Sequence, residues 1–429
     1  MQSADERFTG LLVIIPTRNR SMLARAAAQS FLAHSDPRLT VMISDNSTTS
    51  EGIAELHAWC VEQGDGRLHY VRPPSPLSMP EHWQWALRTG LEMCSASHVG
   101  FSRDRSLFKA EELPTLFRMA ERHPTKVISY LEEHVQDYKI PTTLHQAAWT
   151  GSVLEIQSLN LLRASAQITW YFYDCLPRML NCIVPRAIIN IIEARFGNVF
   201  SSIAPDVCFA YRCLETTKSI FYYDKALNIS YAMDRSNGTS QVRGLKTGDH
   251  VDFLNNLGGK KMNFAAPVPN FQTVMNAIVH EYCFVRNESG ASKFPEININ
   301  NYLSFIASEI PNLEDAHLRT EMEALLEHQA ISYSVRPLNN FFIWRESCVL
   351  TSFDSVEAAL KFGMKNWCKR SSRVSYEEKN IAVSLVLGGQ PDSLVYLRVA
   401  LIRGRLKLAN WMKLFNRSVE RHLLWRLRS

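Results

Sequence analysis

The run Leu11-Leu12-Val13-Ile14-Ile15-Pro16-Thr17-Arg18-Asn19-Arg20 constrains the fold more than any other stretch. About one helix-length later it is followed by Val41-Met42-Ile43-Ser44-Asp45-Asn46-Ser47. Each is a short apolar run closed by polar residues, the pattern of a strand buried on both faces. Strands joined through a helix run parallel, and both of these finish on polar side chains at the same end. Open α/β sheets bind ligands in the crevice beyond such carboxyl ends. The pattern therefore reads as a nucleotide pocket or, more plainly, as an ordinary βαβ unit with polar turns.

The same alternation continues. Strands are expected at 11–16, 39–44, 67–72, 98–102 and 126–130, with helices at 21–34, 50–63, 80–95 and 110–123. This predicts an α/β fold, a Rossmann-like and mostly parallel sheet with helices on both faces. Residues 131–180 read as edge strands or a loop layer. A helix is expected over 183–196, stopped at Gly197, and strands over 219–223 and 227–231. Glycines and prolines cluster at 244–269, which sets a boundary between a catalytic unit, 1–245, and a mainly α-helical C-terminal domain, 246–429. Helices are expected there at 271–286, 299–309, 313–331, 354–367 and 395–425.

At 429 residues with 46% hydrophobic and 21% charged side chains, the chain can bury a sizeable core. Its net charge of +5 is concentrated at the end, because residues 403–429 carry eight Lys/Arg against Glu420 alone. Leu408, Trp411, Met412, Phe415 and Val419 share one helical face there, with Lys413, Arg417 and Arg421 on the other. That pattern suits either a helix lying on an anionic membrane surface or one docked on the protein with its basic face in water. No nucleic-acid motif accompanies it. The nine cysteines form no CxxC pair, which argues against structural zinc and suits a reducing compartment. No apolar run approaches the ~18 to 20 residues of a membrane span. A cytoplasmic protein is expected, peripheral at the inner membrane if the tail binds lipid.

The opening motif, Asp45 after the second strand, and the turn Gly100-Phe101-Ser102-Arg103-Asp104-Arg105-Ser106-Leu107 together resemble GT-A glycosyltransferases of the family 2 type. The resemblance covers roughly residues 8–245. It implies that Pro16, Thr17, Arg18 and Asn19 line the site of the base, and that Asp45 hydrogen-bonds the base or ribose. An ionised aspartate accepts well from a uracil-like N–H, which favours a UDP-sugar; Asp45 would equally suit a turn or a helix cap. On the helix at 80–95, Arg88 faces either a diphosphate or solvent.

The family's turn after the fourth strand carries an Asp-x-Asp run that reaches ribose and metal. Here only Asp104 remains, between two arginines. Asp104 therefore either contributes to a Mg²⁺ or Mn²⁺ site, nucleotide binding included, or leaves the diphosphate to Arg103 and Arg105. By resemblance Asp206, in Ala204-Pro205-Asp206-Val207, is the catalytic base; an acid at a helix start is also favoured by the dipole. Met233 to Gly244, read as a flexible turn, corresponds to a mobile donor loop in which Asn237 and Arg243 meet sugar or phosphate. His250 is a further candidate for metal or diphosphate.

The resemblance thus implies an inverting glycosyltransferase acting on a saccharide or lipid-linked acceptor in bacterial surface polysaccharide or lipopolysaccharide synthesis. Two rivals stay open, as does retaining in place of inverting chemistry. A nucleotidyltransferase would be expected to open on a Gly-rich phosphate loop, which Pro16-Thr17-Arg18-Asn19 is not. A non-catalytic scaffold of the same fold is supported by the thinned acidic turn at Asp104.

Overall fold

The computed structural model describes residues 7–147, 149, 151–168, 175–244, 247–256, 264–271, 273–291, 293–332 and 348–365. The expected helix at 395–425, and with it the basic tail at 403–429, lies outside the described residues.

Strand β1 (Leu11–Thr17) is buried along its whole length and pairs in parallel with β2 (Leu39–Asp45) on one side and β4 (His98–Phe101) on the other. Its register puts Thr17 opposite Asp45, so both polar termini reach the same edge. Between them α1 (Ser21–Leu32) buries Ala24, Ala27, Ala28 and Phe31, a helical i, i+3, i+4, i+7 face. Three alanines on that face let the helix lie close on the sheet. Helix α2 (Ser50–Gln63) ends on Gly64 at φ 58°, a left-handed cap that glycine adopts without a Cβ clash. β3 (Leu68–Val71) completes the parallel side of the sheet.

Helix α3 (Met79–Met93) opens with a reciprocal cap in which Ser78 and Glu81 satisfy each other's backbone partners. It buries His82, Trp83, Ala86, Leu87 and Gly90; at Gly90 the missing side chain leaves room for Leu12 and Ile14 of β1.

Beyond β4 the sheet changes character. Among the described residues the sheet has eleven strands; its main path runs β11 (Cys348–Phe353)-β7-β6-β9-β4-β1-β2-β3, with β10 (Ser219–Ser230) pairing β5, β6 and β8 off that path. β9 (Cys182–Pro185) is antiparallel to both β4 and β6 (Ile128–Gln136), whereas β10 (Ser219–Ser230) runs parallel to β6. β5 (Ser106–Phe108), β7 (Thr142–Ala147) and β8 (Val153–Gln157) are short and antiparallel to their partners. The architecture is α/β: a parallel group around β1 extended by antiparallel strands, with helices packed against it.

Several boundaries differ from the sequence reading for identifiable reasons. The segment 183–196 starts as strand, because Cys182-Ile183-Val184 is an apolar run that fills the gap between β4 and β6. Its helix, α6 (Arg186–Phe196), begins only after Pro185 and ends at Gly197. The expected strands at 219–223 and 227–231 are one strand with irregular register between Tyr223 and Asn228. The first turn of 110–123 is a 3-10 turn preceding α4 (Leu113–Arg122). In the uncertain region 131–180, β6 runs on to Gln136 and α5 (Ser158–Ala166) follows β8.

Helix α7 (Pro205–Thr216) is buried along most of its length and packs against α10 (Val274–Glu288). Short helices α8 (Asn237–Arg243) and α9 (Gly248–Asn256) lie between β10 and α10, and α11 (Ile299–Glu309) and α12 (Ala316–Ser332) follow. One apolar cluster joins Leu12, Trp83 and Phe101 to Tyr211, Tyr282, Tyr302 and Leu326, so the later helices share a core with the sheet. The chain then returns to the sheet through β11 (Cys348–Phe353), paired to β7, and α13 (Val356–Lys365). β11 is a strand in the part read as helical, where its run Cys348-Val349-Leu350-Thr351 has β character.

Candidate functional site

A cavity of about 580 Å³ opens at the carboxyl ends of β1 and β4. The turn after β1 forms one wall. Asn19 sits there at φ 54°, a left-handed conformation that asparagine tolerates better than most residues. Its backbone N–H donates to Ser47 Oγ at 2.7 Å, and its Oδ1 accepts from the Thr48 N–H at 2.9 Å. Asn19 therefore ties the turn after β1 to the turn after β2 while lining the cavity beside Pro16, Thr17 and Arg18.

Asp45 is fully buried and is not among the lining residues. Its Oδ1 accepts from the Ser47 N–H at 2.9 Å and its Oδ2 from the Tyr70 hydroxyl at 2.8 Å. Burial, with this carboxylate alongside, pushes the Tyr70 pKa well above its ordinary value. The residue that reaches the cavity from β2 is the next one, Asn46, whose side chain both donates to and accepts from the backbone of Leu77.

Asp104 lies on the turn between β4 and β5, 4% exposed, and lines the cavity. Thr17 Oγ1 donates to its Oδ2 at 2.9 Å, and Arg20 Nη1 lies 3.5 Å from its Oδ1. Arg105, on the same turn, donates to Ser236 Oγ at 2.9 Å, Met233 Sδ at 3.1 Å and the Tyr231 carbonyl at 3.4 Å. Arg103 and Arg178 share one carboxylate, Glu132. Burial alone would raise the Glu132 pKa; the two guanidinium groups outweigh it and hold the carboxyl at about 2. Counting only side chains that line the cavity, five arginines (18, 20, 103, 105 and 178) face three aspartates (104, 206 and 252).

Asp206 stands in the first turn of α7, half-buried at the cavity wall, with no hydrogen-bond partner among the described residues. The loop before it is anchored from α10: Glu281 Oε1 accepts from the Ile203 and Ala204 N–H groups at 3.1 and 2.7 Å. Ser202, at φ 64°, shares a 2.7 Å hydrogen bond with His280 Nε2. Two acidic side chains thus meet this helix start, Glu281 pinning the loop and Asp206 lining the cavity.

The segment expected as a flexible donor loop is helical in its backbone. Met233–Arg235 forms a 3-10 turn and Asn237–Arg243 a helix, because Ser236 caps Thr239 N–H and Gly244, at φ 66°, closes the other end. Asn237 lines the cavity, and among the described residues its buried Oδ1 has no partner. Arg243 points elsewhere: it pairs with Glu314 at 2.6 Å and lies over the Tyr138 ring, which itself lines the cavity. Arg88 is also outside the cavity, half-exposed and paired with Glu193 at 2.6 Å. His250 belongs to α9, but its side chain lies outside the described residues. Arg18 reaches the same helix through Asp252, at 2.6 Å.

The remaining walls come from parts of the chain that no motif announced. His82 and Trp83 face in from α3, Phe253 from α9, and Val274 and Ile278 from α10. His82 shares a 2.8 Å hydrogen bond with Ser44; burial, aided by nearby Arg18, lowers its pKa to about 3 and keeps it neutral. Arg20 was within reach of sequence reasoning, since it closes the opening motif. Arg178 and Asp252 carried no local signal.

The donor set suits Mg²⁺ or Mn²⁺ poorly. Among the described residues no group of three or more His, Cys, Asp or Glu side chains gathers as a metal site. The one carboxylate at the expected position, Asp104, already faces a donor at each oxygen, one of them cationic. Among the described residues no helix is long and apolar enough to cross a membrane.

No protein-family model matches the sequence, and no curated protein matches it. Among solved structures, S. aureus TarS 1–349 in complex with UDP-GlcNAc is 14% identical over 93% of this chain and 88% of that one, with a TM-score of 0.42. The same fragment in complex with UDP is 12% identical over 81% and 97%, with a TM-score of 0.43. Likenesses at this level say nothing about the ligand or chemistry of this chain.

Proposed function

We propose that this chain is a glycosyltransferase that moves a sugar from a nucleoside-diphosphate sugar, a UDP-sugar by preference, to an acceptor hydroxyl. One observation carries the reading: a single cavity at the strand ends is lined by the Pro16–Asn19 turn, by a surplus of arginine, and by the carboxylate of Asp206, which no described residue hydrogen-bonds. Anion-binding groups and a carboxylate able to act as general base, lining one hollow, are what transfer from a charged donor requires.

In this reading the base and ribose lie along Pro16, Thr17, Arg18, Asn19 and Asn46, with Asp45 holding that wall from behind. Asp206 takes the proton of the acceptor hydroxyl as its oxygen attacks the anomeric carbon. The bond from that carbon to the diphosphate oxygen breaks on the opposite face, inverting the configuration, and the nucleoside diphosphate leaves with the electron pair. Met79, Trp83, Phe264 and Ile278 give the cavity an apolar side, suited to the ring faces of a saccharide or to the first part of a lipid-linked acceptor. Bacterial surface polysaccharide or lipopolysaccharide synthesis is the fitting context, and a membrane role for residues 403–429 would place the enzyme at the inner leaflet.

The test is hydrolysis or transfer from a panel of UDP-, GDP-, dTDP- and CMP-linked sugars. Release of nucleotide from one of them is expected, falling by at least about a hundredfold in Asp206→Asn, the usual scale for a lost general base. Equal turnover by Asp206→Asn contradicts the assignment of the base. Binding of a nucleotide sugar without turnover would favour the scaffold reading.

A further inference from the structure

Arg105 is half-buried at the cavity wall, and among the described residues its guanidinium hydrogen-bonds only neutral groups: a hydroxyl, a thioether and a carbonyl. Burial lowers its pKa to about 10, with Arg103 and Arg20 adding repulsion and Asp104 opposing it, so the side chain is still a cation at neutral pH. A cation taken out of water without a bonded anion is costly, and more so beside like charges. Among the described residues a further N–H donor of the cavity, the buried Nη1 of Arg18, has no hydrogen-bond partner. Asp104 does not relieve this as a bonded partner, because its oxygens face Thr17 and Arg20.

We propose that the leaving diphosphate is bound and neutralised by Arg105, backed by Arg103 and Arg20, and that Asp104 is the internal counter-ion of this cluster rather than a ligand for a divalent cation. The proposal rests on the nucleotide-sugar reading and specifies how that site holds its anion. Ser236 fixes Arg105 Nη2 while capping α8, so the guanidinium is held in place before the ligand arrives and needs little reorganisation as charge builds on the departing oxygen. Arginine also matches phosphate oxygens with paired N–H groups, which a point charge does not. A divalent ion on Asp104 Oδ1 would take the place of Arg20, whose Nη1 lies 3.5 Å away.

The full-length protein is titrated calorimetrically with inorganic pyrophosphate, and with UDP, GDP, dTDP and CDP, first in EDTA and then with Mn²⁺. Pyrophosphate removes any dependence on the identity of the base. Binding of pyrophosphate and of one nucleotide in EDTA is expected, tightened by Mn²⁺ no more than about twofold. Arg105→Gln should weaken it about ten- to a hundredfold, the scale of one charge-assisted hydrogen-bonding group, and Arg105→Lys should lose less. If Arg105→Gln fails to fold, the EDTA comparison on the unaltered protein still decides. Nucleotide binding that needs Mn²⁺ overturns this proposal and leaves the transferase reading standing. No binding of any nucleotide or of pyrophosphate, with or without metal, overturns both.

Discussion

At Glu281, burial and hydrogen bonding pull in opposite directions. Burial raises its pKa, with Asp206 adding to it; the Ala204 and Ile203 N–H groups oppose, and the balance lies at about 8. The folded protein therefore holds a proton here that the unfolded chain releases near the ordinary glutamate value of about 4.3. The stability this contributes is complete below that value and is lost as pH rises towards about 8. Glu281→Gln keeps a carbonyl oxygen for the two N–H donors and removes the titration. Its melting temperature relative to the native protein should climb between pH 5 and 8 and level off above that; a difference independent of pH would contradict the assignment. Residues in this neighbourhood also show what a sequence can reveal. Asp206 was legible because Pro-Asp before an apolar run marks a helix start, and helix starts face clefts. Asp45 was legible as a strand-end acid, but which way it turned depended on Tyr70, 25 residues on. Arg88 was ambiguous for the same reason: only folding brings Glu193 beside it.

Elements with period and punctuation were read well, and those made by tertiary pairing were not. α2 runs over Ser50–Gln63 and α11 over Ile299–Glu309, the spans their apolar spacing and flanking breaks suggest. β9 was hidden inside an apparent helix, since four apolar residues suit either state until a gap between β4 and β6 selects the strand. β4 matters most to the site, because its end carries the Asp104–Arg105 turn. It packs so closely on β9 that a Cβ at Gly100 would lie 2.9 Å from the Cys182 carbonyl oxygen, a backbone atom that cannot swing aside. Gly100→Ala should therefore destabilise the protein by about 1–3 kcal/mol, the usual cost of overpacking, measured by urea unfolding. An unchanged midpoint would show that the two strands part more freely than this packing allows.

Across the whole molecule, the parallel half around β1 was foreseeable from alternating strands and helices, while the antiparallel half was not. β11 returns from far along the chain to pair with β7, a contact with no local signature. The cavity is built the same way. Its arginines come from turns within the first 105 residues and from Arg178, and its apolar lining from α3, α9, α10 and Phe264, so a core shared by the sheet and the later helices holds them in register. That arrangement makes the central claim, a nucleotide-sugar site, measurable through global stability, since a ligand that binds only the folded state raises the melting point. The direct measurement is a thermal-shift series of UDP-, GDP-, dTDP- and CMP-linked sugars at about a hundredfold over the dissociation constant, where the stabilisation is about 2.7 kcal/mol. One of these sugars, a UDP-sugar first, should raise the midpoint by about 3 °C; a flat response to every member would contradict the account.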